Sequence, residues 1–168
     1  MKNLEKLKRK ESLFKDIVLR FAEESHCESK KVAAIAVKNS RIIATGINGT
    51  PEKVLNCDDY FRKEYQKNKI SISYNEWIKT PGWREQHHQW SDIKEIHAEQ
   101  NLICEASRNG INLSEVEIYI SLKPCIHCAK LLAALKPKVI YYINDYDKSS
   151  DDSQKLLEEC GIHLIKIE

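Results

Sequence analysis

Two short runs constrain this chain more than any other feature: His97-Ala98-Glu99 and, 25 residues past Glu99, Pro124-Cys125-Ile126-His127-Cys128. One neutral imidazole and two thiolates supply three ligands to a zinc ion and cancel its double charge, which leaves the fourth tetrahedral position for water. An open position separates a reactive zinc from a structural one, so His97, Cys125 and Cys128 point to chemistry before they point to scaffolding. Glu99 is not required as a ligand. Two residues past the histidine, in the first turn of a predicted helix, its carboxylate can reach the open position and shuttle protons there. A purely structural clip would more often fill all four positions with Cys or His.

A chain of 168 residues is long enough for one domain with a proper core. Its 27 basic and 25 acidic residues leave a net charge of +2, so the overall balance calls for no acidic partner. No apolar run reaches membrane-spanning length, and the stretch from Met1 to Lys10 lacks the apolar segment of a signal peptide; the expected location is the cytoplasm, with no membrane partner. In that setting six cysteines read as metal ligands before they read as disulfides. Glu5 and Glu11 interrupt the basic start, which reads as a solvated helix entry and not as a nucleic-acid arm.

Apolar residues at Leu13, Phe14, Ile17, Val18, Phe21 and Ala22 recur at helical spacing and predict a first helix with one buried stripe. Val32 to Val37, the polar run Lys38-Asn39-Ser40-Arg41 and Ile42 to Thr45 predict an antiparallel hairpin. Residues 51–92 mix Pro, Asn, Trp, Tyr and charges, and read as an irregular insertion of loop and short helices. Beyond it Ala98, Leu102 and Ala106 mark a helix that stops at Asn109-Gly110. A strand from Val116 to Leu122 leads to Pro124, expected at the first helical position, which puts Cys125 and Cys128 on an opening turn where the helix dipole favours thiolates. Strand 139–143, a helix near 150–160 and strand 162–167 complete the chain. This order makes an α/β fold, a three-layer α/β/α sandwich with a five-stranded mixed sheet in a single domain spanning 1–168. The helix between the last two strands is a crossover, so those strands should be parallel.

The paired motifs resemble the cytidine deaminase superfamily. Gly46-Ile47-Asn48-Gly49-Thr50-Pro51, Glu95-Ile96-His97-Ala98-Glu99-Gln100-Asn101 and Leu122-Lys123-Pro124-Cys125 through Ala129-Lys130 are similar to its deoxycytidylate (dCMP) deaminase branch, the phage-type members above all. The resemblance covers roughly residues 12–167 and implies the sandwich just described. It also implies a zinc-dependent hydrolysis of dCMP to dUMP and ammonia that supplies thymidylate synthesis, with Glu99 moving protons to N3 and to the departing amine. Another cytosine nucleotide (dCTP or a 5-modified dCMP) or adenosine in tRNA are the alternative substrates. A polynucleotide substrate would need a basic surface with stacking aromatics, for which the charge balance gives no support, so no nucleic-acid partner is expected. By resemblance, Asn48 contacts the sugar, Ala98 and Tyr146 border the substrate, and Lys30 is a candidate phosphate contact. The same resemblance implies dCTP and dTTP as effectors, magnesium accompanying a dCTP effector, and a homo-oligomer such as a hexamer.

Of the other cysteines, Cys104 and Cys160 read as buried, inert thiols. Cys27 and Cys57 each sit in a polar turn, where a free thiol has no packing reason to be. In phage-type dCMP deaminases a second, structural zinc is held by residues matching Cys27, Cys57, His87 and Glu95, and the resemblance carries over at each position. His26 or His88 could replace a member of that set, and two surface cysteines beside a solvated His pair is the competing reading.

Overall fold

The computed structural model describes residues 2–145 and 151–168. Its centre is the apolar run after Val32, which forms β1 (Ala33–Lys38) with its first five residues buried. Both edges of β1 are occupied: β2 (Arg41–Ile47) pairs with it antiparallel through the hairpin, and β3 (Glu117–Leu122) pairs antiparallel on the other side. Asn39 and Ser40 have φ of 51° and 60°, the left-handed values that a tight two-residue hairpin turn demands. β4 (Val139–Asn144) and β5 (Leu164–Lys166) then add in parallel, giving one sheet of order β2-β1-β3-β4-β5. The parallel pairs follow from helices α6 (Ile126–Leu135) and α7 (Asp152–Glu159), which carry the chain back before each new strand.

Alternation along the strands sorts the core into two faces. Ile35, Val37, Tyr119 and Tyr141 meet Phe14, Val18 and Ala22 of α1 (Lys2–Ala22). Ala34, Ile118, Ile120 and Ile140 meet the opposite layer, made by Leu102 of α5 (Ala98–Arg108), Leu132 of α6 and Leu157 of α7. Each large apolar side chain buried this way contributes about 1.5–3 kcal/mol. Leu13 is 55% exposed, because Phe14, Val18 and Ala22 at spacing i, i+4, i+8 define a stripe narrower than the sequence pattern suggests.

The insertion is more regular than expected. It carries α2 (Cys57–Lys67, 11 residues), α3 (Tyr74–Trp77) and α4 (Pro81–Lys94, 14 residues). Thr80 caps α4 by accepting the Trp83 N–H at 3.2 Å, with Pro81 at the helix start. Phe61, Trp77 and Trp83 form a small separate core with Tyr60 and Trp90 packed against it. The helical stripe of α4 is built from Trp83, His87 and Trp90 at i, i+4, i+7, residues that do not register as an aliphatic periodicity. Where the insertion rejoins the sheet domain, Gly49 and Ile96 exchange backbone hydrogen bonds of 3.1 and 2.8 Å immediately before His97.

Three local expectations are corrected. Pro124 precedes the helix cap instead of opening α6: Cys125 is the N-cap, with φ −70° and ψ 167°, and extended backbone there is what allows the helix to start at Ile126. Cys104 and Cys160 are exposed, not buried. On α5, Leu102 and Ala106 face the sheet, and Cys104 is two residues, about 200°, round the helix from Leu102; Cys160 is the C-cap of α7. Strand β5 is three residues long, shorter than the apolar run from 162 to 167. No helix among the described residues is long and apolar enough to cross a membrane.

Candidate active site and metal centres

His97 is the N-cap of α5, and Cys125 is the N-cap of α6, so the two motifs start two neighbouring helices. The His97 N–H donates to Gln100 Oε1 at 2.9 Å, which fixes the turn carrying Glu99. Gly46 determines how deep this turn sits. A Cβ on Gly46 would lie 2.1 Å from the Ala98 carbonyl oxygen and 2.3 Å from the Leu102 nitrogen, so only glycine lets β2 approach the helix backbone this closely.

His97 Nδ1 lies 3.4 Å from Cys128 Sγ and 3.6 Å from Cys125 Sγ. Ligands 2.0–2.3 Å from a tetrahedral zinc are spaced about 3.5 Å apart, so the three donors fit that ion. The chemistry of the donor set agrees. The hydrogen bond from Cys128 holds the Cys125 thiol down to about 3, and the same contact, with burial, pushes the Cys128 thiol up. Two sulfurs sharing one proton beside an imidazole form an electron-rich cluster that a cation relieves. His97 is pushed up first by its hydrogen bond to Cys125. Glu99 is 4% exposed, faces Cys128, and burial pushes its carboxyl up.

A second cluster lies in the insertion. Cys27 Sγ lies 3.5 Å from both His87 Nε2 and Glu95 Oε2, and these atoms with Cys57 Sγ lie within 4.8 Å of one another. Here too one thiol is favoured as the anion: Cys57 hydrogen-bonds Cys27 and draws it down to about 4, while Cys57 itself is pushed up. Burial and then the neighbouring Cys27 raise Glu95 to about 7, and its Oε1 is buried with no hydrogen-bond partner. A buried carboxylate oxygen without a partner beside two thiols costs free energy unless a cation occupies the space between them. Far from lying in solvated turns, Cys27 and Cys57 are 4% and 1% exposed. His26 and His88 are engaged elsewhere, with Asp58 at 3.0 Å and Asp92 at 3.4 Å, and neither joins the cluster.

A cavity of about 890 Å³ opens between α4, the hairpin exit and the start of α6, and both donor clusters reach its wall. Lys30, Asn48 and Ala98, the residues that the resemblance assigns to the substrate, line it. Asn48 is held rigidly: its Oδ1 accepts from Ser25 Oγ at 2.7 Å and from the Val32 N–H at 2.8 Å, and its Nδ2 donates to the Lys30 carbonyl at 2.9 Å. Tyr146 lies outside the described residues. Sequence reasoning missed Trp83 and Lys123 on the same wall. The only signal for Lys123 was its place at the end of a strand and next to the Pro-Cys pair.

Residues 8–144 match the family model described as the cytidine and deoxycytidylate deaminase zinc-binding region. The deoxycytidylate deaminase of enterobacteria phage T2 is 35% identical over 161 residues, covering 87% of this chain and 86% of the phage protein. Among solved structures, the dCMP deaminase of cyanophage S-TIM5 in complex with dCMP and dUMP is similar at a TM-score of 0.69 and 25% identity, over 94% of this chain and 96% of that one. A tRNA:A34 deaminase shares the fold, with a TM-score of 0.55 at 16% identity over 94% of this chain and 98% of that one.

Proposed function

The chain belongs to the cytidine and deoxycytidylate deaminase family, and from that premise we propose how its pocket hydrolyses dCMP to dUMP and ammonia. The observation that carries the reading is the convergence of His97, Cys125 and Cys128 within 4.8 Å, with the buried Glu99 on the same cavity wall. His97, Cys125 and Cys128 would hold a zinc ion, which when bound supplies the Lewis acidity that makes water nucleophilic near neutral pH. Glu99 takes the proton released by the attacking water and delivers it to N3 of the cytosine. A second transfer through the same carboxylate protonates the exocyclic amine, so that ammonia leaves as the C4 carbonyl forms. Ala98, fully buried between His97 and Glu99, closes the wall behind the base. Asn48, whose carbonyl oxygen is already committed, offers its remaining Nδ2 hydrogen to the sugar. Tyr146 borders the substrate by resemblance, and Lys30, half-buried on the cavity wall, serves the phosphate.

A second zinc held by Cys27, Cys57, His87 and Glu95 belongs to the same proposal. Its support is the four buried or half-buried donors and the orphaned Glu95 oxygen. Residues 1–168 are read as a single deaminase domain bearing the 51–92 insertion. Assembly into a homo-oligomer of up to six chains, control by dCTP and dTTP, and magnesium with a dCTP effector rest on the resemblance alone, and a cytoplasmic location on the sequence reading.

The test is an absorbance assay of ammonia loss from dCMP, dCTP, cytidine, deoxycytidine and adenosine in tRNA, with and without dCTP as effector. The expected result is turnover of dCMP much faster than that of either nucleoside. Equal turnover of unphosphorylated deoxycytidine would reject the nucleotide substrate while leaving the deaminase chemistry standing.

A further inference from the structure

Lys123 is the one lysine or arginine among the described residues that is buried, at 7% exposure, and it lines the same cavity as His97, Glu99 and Cys125. Its position is imposed by the backbone: the Lys123 N–H donates to the Asn144 carbonyl at 2.8 Å, and Pro124 and the capped Cys125 follow directly. The ammonium lies 5.9 Å from the centre of the Tyr142 ring and 3.8 Å from Asp151 Oδ1. That carboxylate is 77% exposed and beyond hydrogen-bond distance, and Asp145, the other carboxylate that feels this ammonium, is held by Lys166, so the buried charge is compensated weakly. Removing an ammonium from water costs several kcal/mol unless a close anion answers it.

We infer that Lys123 is a specificity-determining residue whose ammonium binds the 5′-phosphate of the nucleotide substrate. This rests on the proposed reading of the pocket as a dCMP site. The base and the sugar of dCMP are neutral, and the phosphate is the only part of the molecule carrying a negative charge. A buried ammonium therefore gains most from that end, through a short charge-assisted hydrogen bond. Lys30 lies on the same wall and remains half-buried, so the two lysines divide the work. Lys30 meets the phosphate from the solvent side, and Lys123 gives a nucleotide its advantage over a nucleoside from within.

The experiment compares kcat/KM for dCMP and deoxycytidine in the parent enzyme, Lys123→Met and Lys123→Arg, with inorganic phosphate as a competitive inhibitor. For Lys123→Met the dCMP-to-deoxycytidine ratio should fall on the order of 10- to 100-fold, chiefly through KM for dCMP, and inhibition by phosphate should weaken in parallel. Lys123→Arg, which keeps the charge, should retain most of the preference. Lys123→Gln provides the neutral substitution if the Met variant does not fold. A neutral variant that keeps the parental ratio and the parental phosphate inhibition overturns the inference, as does an Arg variant that loses the preference as completely as the neutral ones. A parent enzyme with no preference for dCMP would reject the substrate reading itself, an outcome separate from a parent that prefers dCMP and a variant that does so equally.

Discussion

The His97 cluster draws three donors from the starts of two helices and stays partly open, whereas the Cys27 cluster draws four donors from three separate segments and is almost sealed. His97 is exposed and Cys125 half-buried, while Cys27, Cys57 and His87 are all buried. Three ligands leave a tetrahedral ion one position for a reacting molecule, and four leave none. In the proposed reading, similar atoms thus make a reactive centre in one place and a clip in the other. In that reading the clip has mechanical work to do, because it would tie the turn after α1, the start of α2 and the middle and C-terminal end of α4 to one point. Glu95 belongs to the clip and His97 to the reactive centre, and only Ile96, held by its bridge to Gly49, separates them.

The sharpest way to break this distinction is Glu99→Gln. It removes the proton carrier and no ligand, so kcat should fall by about 10²–10⁴-fold while zinc content and melting temperature stay at parental values. Activity within tenfold of the parent would mean that Glu99 is not the shuttle. Cys57→Ser should do the converse, losing the zinc of the insertion and keeping the other. Structural zinc supplies folding free energy directly, about 10 kcal/mol in small zinc peptides. Even a third of that would lower Tm by roughly 10 °C in a chain of this size, at about 2–4 °C per kcal/mol. Calorimetry together with metal analysis reads both changes.

Gly46→Ala tests the support under the reactive centre without touching a donor. With a new carbon 2.1 Å from the Ala98 carbonyl, α5 must shift, at a cost of about 3 kcal/mol or more, and kcat should drop as Glu99 moves with the helix. An unchanged Tm would show that β2 yields instead. The smallest effect is expected from His26→Ala, which removes an exposed pair with Asp58 beside the clip. Stability should change by less than about 1 kcal/mol and zinc content not at all. A lost zinc would make His26 a ligand.

The two centres also differ in how plainly the sequence announces them. The reactive donors sit in two compact runs whose spacing reflects two helix starts, and the alternation of β1 and β3 and the crossovers after β3 and β4 were equally legible. Cys27, Cys57, His87 and Glu95 span 69 positions; without the family resemblance nothing local joins them, because their neighbourhood is created by α2 and α4. Those helices were obscured because tryptophans and a histidine occupy the buried positions on α4, and because burial of Cys27 and Cys57 comes from aromatic residues distant in the chain. Lys123 shows the same gap at the level of one side chain. A lysine at a strand end reads as solvated, and only the packing around Tyr142 and the cavity wall reveals that it is buried.

The central claim, that one centre reacts while the other holds the insertion in place, is tested most directly by counting zinc in enzyme that is turning over dCMP. The account predicts two zinc ions per chain, with chelation of the more exposed His97 site abolishing activity before the melting temperature falls. One zinc per fully active chain would contradict it.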